Sequence, residues 1–181
     1  MLTLDNHWVV QARHCPSPNH DDRPQGDVSL IVIHAISLPP GDYGGPWIDD
    51  LFCNRLDPTV HPYFAEIADL TVSCHFLIRR DGELVQYVGC DRRAWHAGQS
   101  QWCGRQRCND FAIGIELEGV DHQPYTSAQY ATLAALLPLL QGHYRIPETA
   151  LAGHDEIAPG RKTDPGPAFD WQRVRAAGRV S

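Results

Sequence analysis

Apolar residues gather into a few short runs, and each run predicts an element. Residues 29–34, Ser-Leu-Ile-Val-Ile-His, form an unbroken β-branched stretch that predicts a strand buried on both faces. It ends in His34, and a polar residue at the end of a buried strand is placed to point into a site. Residues 72–78 and 83–88 read as two strands joined by a turn containing Asp81-Gly82, a hairpin. In residues 111–118, Glu116 and Glu118 alternate with Ile113, Ile115 and Leu117, so the acids share one face of a strand and the aliphatics the other. Residues 127–144 carry Tyr130, Leu133, Leu136, Leu137 and Leu140 at helical spacing, with Ser127 as the expected cap and Pro138 as an expected kink. A short helix is expected near 171–176.

The stretches between these runs are polar and rich in proline and glycine. Apart from the short apolar run Trp8-Val9-Val10, most of residues 1–27 reads as an arm laid over the surface, with His7, His14 and His20 solvated. Residues 38–70 form a long excursion with two short helical pieces, about 47–52 and 60–68. Next to a strand-end histidine it is either a lid or a passive cover over the sheet edge, and His61 within it reads as a surface residue. The segment from Gly153 to Pro167 packs His154, Lys162 and Asp164 into irregular chain, where prolines and glycines hold side chains in defined directions. An imidazole and a carboxylate are ligand types that zinc accepts, but a catalytic zinc usually takes a third protein ligand, which must come from elsewhere.

Composition narrows the partners. With 181 residues, of which 43% are apolar, the chain is expected to be one domain spanning 1–181. A net charge of −7 argues against an electrostatic grip on nucleic acid and suits a small soluble substrate. No run approaches a membrane span, and the first residues lack the features of a leader, so a soluble cytoplasmic protein is expected, and a monomer. The six cysteines contain no CxxC pair and read as reduced thiols; Cys103 and Cys108 could instead suit a local disulfide or half of a metal site.

Singly these residues are not specific, but their order is. Ile31-Val-Ile-His34, Ser73-Cys-His-Phe-Leu-Ile-Arg-Arg-Asp-Gly82, Trp95-His-Ala-Gly98, Asn109 through Gly119, and Gly153-His154 through Pro167 occur in succession. Together they resemble the zinc-dependent N-acetylmuramoyl-L-alanine amidases, the family that includes peptidoglycan recognition proteins, and the resemblance covers nearly the whole chain. It implies an α/β fold with a central mixed sheet flanked by helices, and zinc (Zn2+) held by His34, His154 and Asp164.

The resemblance further implies Glu116 as the base that takes a proton from water and Lys162 as the group that stabilises the oxyanion. The alternative for Glu116 is an ion pair with a local arginine. Trp95 is suited to pack on sugar or peptide, while His96 beside it reads as a surface histidine. Arg107, with Arg105 or Arg161 as helpers, is suited to pair with peptide carboxylates, or else only solvates its loop. Ala35 stands where relatives often place asparagine, which removes one substrate hydrogen bond. His75 reads as a core or supporting histidine.

The implied substrate is 1,6-anhydro-N-acetylmuramic acid joined through its lactyl group to L-Ala-γ-D-Glu-meso-diaminopimelate, cleaved in cytosolic peptidoglycan recycling. The alternative is a muropeptide-binding protein of the same fold without catalysis. A cysteine hydrolase ranks last, since no local thiol–histidine signature is present.

Overall fold

The structure, a computed structural model, describes residues 1–177. In chain order the strands are β1 (Leu4–Asp5), β2 (Trp8–Val9), β3 (Arg13–His14), β4 (His20–Asp22), β5 (Leu30–Ile36), β6 (Phe76–Ile78), β7 (Leu84–Gln86), β8 (Arg92–Ala94), β9 (Gln101–Trp102), β10 (Arg105–Gln106), β11 (Ala112–Glu118) and β12 (Leu151–Gly153). The helices are α1 (Trp47–Phe52), α2 (Pro62–Ile67), α3 (Ser127–Tyr144), α4 (His154–Ile157) and α5 (Trp171–Ala177). Six strands form the central sheet in the order β12-β5-β11-β6-β7-β3. β12, β5, β11 and β6 run parallel, β6 and β7 form the antiparallel hairpin, and β3 pairs parallel with β7.

The expected mixed sheet and its apolar strands follow from the sequence pattern. Parallel strands covered on both sides need apolar residues at successive positions, and Leu30 to Ile33 are all fully buried. Alternation sorts them: Ile31, Ile33, Ile113, Ile115 and Leu117 join the α3 side of the core, while Leu30, Val32 and Ala112 join a cluster on the other side. His34 and Glu116 are paired across β5 and β11, so both project from the face that α3 does not cover.

α3 buries Tyr130, Leu133, Leu136, Leu137 and Leu140 as its spacing predicts, and it continues through Pro138. Its cap is Thr126 rather than Ser127. The Thr126 hydroxyl accepts from the Gln129 amide at 3.1 Å, and the Gln129 side chain accepts from the Thr126 amide at 3.0 Å, a reciprocal pair that fixes the helix start.

The N-terminal arm is more than a surface layer, because it supplies β3 to the sheet edge and sends Arg23 inward. The Arg23 guanidinium is 7% exposed and donates to the carbonyls of Cys90, Asn109, Asp110 and Ala112. The arm's histidines also have protein partners rather than only solvent: His7 lies 2.7 Å from the Tyr144 hydroxyl and His14 2.8 Å from the Val9 carbonyl, while Arg92 donates to His20 at 3.4 Å.

The excursion after β5 carries α1 and α2. It has its own apolar packing, in which Ile48, Leu51, Phe52, Leu56 and Phe64 meet Leu77, Val85 and Tyr87 of the hairpin region. His61 caps α2 by accepting from the Tyr63 amide. All six cysteines are free thiols, Cys103 exposed and Cys108 buried, so that pair does not form a disulfide. Among the described residues no helix is long and apolar enough to cross a membrane.

Candidate active site

Three donors converge at the open ends of the parallel strands. His34 lies inside β5, which runs two residues beyond the expected end to Ile36, His154 follows β12 at the first turn of α4, and Asp164 comes from the Pro/Gly-rich loop. That loop is pinned beside the histidine by the Asp155 amide, which donates to the Asp164 carbonyl at 3.0 Å. His34 Nδ1 and His154 Nδ1 are 3.0 Å apart, and Asp164 Oδ2 lies 3.1 Å from His154 Nδ1 and 3.4 Å from His34 Nδ1. The edges of a tetrahedral zinc site are about 3.3 Å when bonds are near 2.0–2.1 Å. The spacing and the donor types therefore fit a zinc ion with an open fourth position.

Electrostatics agree with ligation. Burial pushes the His34 imidazole down to about 4, so it is neutral at physiological pH and offers a lone pair. Burial pushes the Asp164 carboxyl up, but the neighbouring imidazoles of His154 and His34 outweigh that and hold it below the ordinary carboxylate range. The Ala35 backbone amide donates to Asp164 Oδ2 at 3.4 Å, which helps to hold that carboxylate in place.

A cavity of about 510 Å³ opens beside the three donors. Glu116, Lys162, Trp95 and Ala35 line it together with His34, His154 and Asp164. The excursion contributes Leu38, Leu51, Phe52, Tyr63 and Ile67 to the opposite wall. Glu116 is 9% exposed, and its Oε2 has no hydrogen-bond partner among the described residues. Burial first, and then the negative charge of Asp164, raise its carboxyl well above the ordinary value, while Lys162 opposes them. Among the described residues Glu116 forms no ion pair with an arginine, the alternative expected for it.

The arginines fall elsewhere. Arg107 is exposed and paired with Asp110 at 3.3 Å, and it lines a second cleft of about 700 Å³ together with Trp102 and Arg161. Arg161 donates to the carbonyls of Ala97 and Gln99 at 2.6 and 2.7 Å. Arg105 is held by Asp27 and stacks on Phe111. Trp95 is half-buried and its indole N–H donates to Asp21 at 3.3 Å.

Two cavity features were not evident from sequence. His96 is no surface histidine: it lines the cavity, and its Nδ1 lies 2.9 Å from His34 Nε2. Tyr63 enters the wall from α2, and its only sequence signal is an aromatic at the start of a short helix. His75 is fully buried, as expected for a core histidine, and accepts from the Gly114 amide at 3.1 Å.

A family model described as N-acetylmuramoyl-L-alanine amidase matches residues 24–167. The chain is 60% identical over 176 residues to the 1,6-anhydro-N-acetylmuramyl-L-alanine amidase AmpD of Enterobacter cloacae, covering 97% of this chain and 94% of that one. A crystal structure of a Se-Met AmpD derivative matches with a TM-score of 0.95 at 59% identity, over 97% of this chain and 98% of that chain. A structure of the amidase AmiD from E. coli, in complex with the substrate anhydro-N-acetylmuramic acid-L-Ala-D-gamma-Glu-L-Lys, matches with a TM-score of 0.63 at 28% identity, over 98% of this chain and 65% of that chain.

Proposed function

The chain belongs to the N-acetylmuramoyl-L-alanine amidase family and is a muropeptide amidase, and from that premise we propose that His34, His154 and Asp164 hold a catalytic zinc while Glu116 and Lys162 manage proton and charge during hydrolysis. The bond cleaved is the amide between the lactyl group of 1,6-anhydro-N-acetylmuramic acid and the L-alanine of the stem peptide. Zinc, when bound, lowers the pKa of water and polarises a carbonyl.

Glu116 takes the proton from the attacking water. Its burial without a partner leaves a carboxylate with unspent basicity at the cavity wall, and that is the observation that carries the reading. Lys162, exposed at the same cavity, stabilises the negative charge that develops on the carbonyl oxygen. The proton held by Glu116 then passes to the leaving amine of L-alanine. The Ala35 amide supports Asp164.

Trp95 is assigned to packing on the sugar or peptide. Arg107 and Arg161 are assigned to the peptide carboxylates where the stem reaches the second cleft. We place the enzyme in the cytoplasm as a single-domain monomer acting on small soluble muropeptides in peptidoglycan recycling. Glu116 and Lys162 stand beside the donors, so the non-catalytic alternative draws no support from the site.

The test is zinc content measured alongside hydrolysis of anhydromuramyl-tripeptide, with and without a chelator. About one zinc per chain and chelator-sensitive release of the tripeptide are expected. Hydrolysis that survives metal removal would overturn the zinc assignment.

A further inference from the structure

Each metal-site imidazole has a second ring nitrogen, and both of these nitrogens face the same loop. With zinc on Nδ1, as proposed above, the proton of the His154 imidazole sits on Nε2, which lies 3.3 Å from the Ala97 carbonyl, a group that can only accept. His34 Nε2 instead meets His96 Nδ1 at 2.9 Å, a nitrogen that accepts in one tautomer and donates in the other. Only one arrangement frees His34 Nδ1 beside the other donors. The His34 Nε2–H donates, His96 Nδ1 accepts, and the proton of His96 sits on its own Nε2.

The surroundings hold His96 in place for this contact. Asn109 Oδ1 accepts from the backbone amides of His96 and Ala97 at 3.1 and 2.7 Å, which fixes the loop. Across the sheet face, a Cβ at Gly114 would come within 2.6 Å of the imidazole, so only glycine leaves the ring its space. His75 packs edge-on at 5.7 Å between ring centroids, with its own nitrogens engaged by the Gly114 amide and the Arg92 carbonyl. His96 Nε2 has no partner among the described residues, so the contact with His34 is the ring's one hydrogen bond.

We propose that His96 is a positioning residue for the metal site: its Nδ1 accepts the His34 Nε2–H and thereby fixes the tautomer and ring angle that present His34 Nδ1 to zinc. The inference rests on the zinc reading above. Partners on the far nitrogen of a metal-bound histidine generally raise its basicity and orient it. Here a neutral imidazole takes the place more often held by a carboxylate or carbonyl.

The experiment compares zinc affinity, by competition with a chromophoric chelator, in the wild type, His96→Ala and His96→Asn, with long-range 15N–1H correlation spectra of the zinc-loaded wild type. Asparagine can place its side-chain carbonyl near the Nδ1 position and accept the same proton. His96→Ala is expected to bind zinc about 10–100-fold more weakly, His96→Asn close to the wild type, and the spectra to show His34 protonated at Nε2 and His96 bare at Nδ1. Wild-type affinity in His96→Ala, or equal loss in both variants, would overturn the assignment, as would a protonated His96 Nδ1. If His96→Ala does not fold, the asparagine variant and the wild-type spectra still decide. A wild type that binds no zinc refutes the zinc reading instead.

Discussion

Glu116 and Glu118 stand on the same face of β11, and the fold treats them oppositely. Glu118 is 2% exposed and fully engaged: Oε1 accepts from the Gly44 amide at 2.7 Å and from Arg79 at 3.3 Å, and Oε2 accepts from the Arg80 amide at 3.0 Å. Through those bonds it ties the root of the excursion to the hairpin. Glu116 is almost as buried, yet among the described residues its Oε2 has no hydrogen-bond partner, and it lines the cavity together with His34, His154 and Asp164. A buried carboxylate with all its bonds made is structural; one left without them is costly to keep, and that cost is what supports the proposed role of Glu116 as a base.

That contrast can be broken most sharply at Glu116. Glu116→Gln is expected to lower kcat by about 10²–10⁴-fold, the range for loss of a general base, while zinc content stays at the wild-type level. The acidic limb of the pH–rate profile should vanish with it, because a general base works only when ionised and its contribution falls as pH drops through its pKa. Steady-state kinetics with metal analysis would check both, and a variant of ordinary rate would sink the base assignment. Glu118→Ala should show the converse. It leaves the Gly44 amide and part of Arg79 without their acceptor, and the expected cost is about 2–3 kcal/mol in denaturant unfolding. Activity per folded molecule should stay near that of the wild type, and a collapse of kcat at unchanged stability would erase the distinction.

Both carboxylates were legible in the sequence as acids alternating with aliphatics, but which one would be satisfied was not. The partners of Glu118 come from the excursion and the hairpin, and no local pattern states that they will meet. The local pattern marked His34, His154 and Asp164 as directed side chains, a histidine at the end of an apolar run and two residues in a proline-rich loop, but it was the family resemblance that joined the three into one site. His96 was not, because its burial depends on the missing side chain of Gly114 on a distant strand. A glycine inside an apolar strand was the available sign of such a close approach. The arm was misread for the same reason, since the short β3 and the inward Arg23 are stabilised by contacts far along the chain.

The smallest effect separates the two carboxylates through stability alone. Glu116 in the metal-free fold has a pKa raised above its ordinary value near 4.5, by burial first and the charge of Asp164 second. Such a group favours the folded state below its unfolded pKa, and that contribution is lost as pH rises through the folded pKa. Glutamine at this position does not ionise. Glu116→Gln should therefore match the wild type near pH 4.5 and become more stable than it as pH rises, by about 1–2 kcal/mol at pH 8, the order of cost for a buried polar group left unpaired. Denaturant melts of chelator-treated protein across that range would measure the gap. A gap that does not open with pH would mean that Glu116 carries no buried charge penalty, and its supposed difference from Glu118 would then rest on position alone.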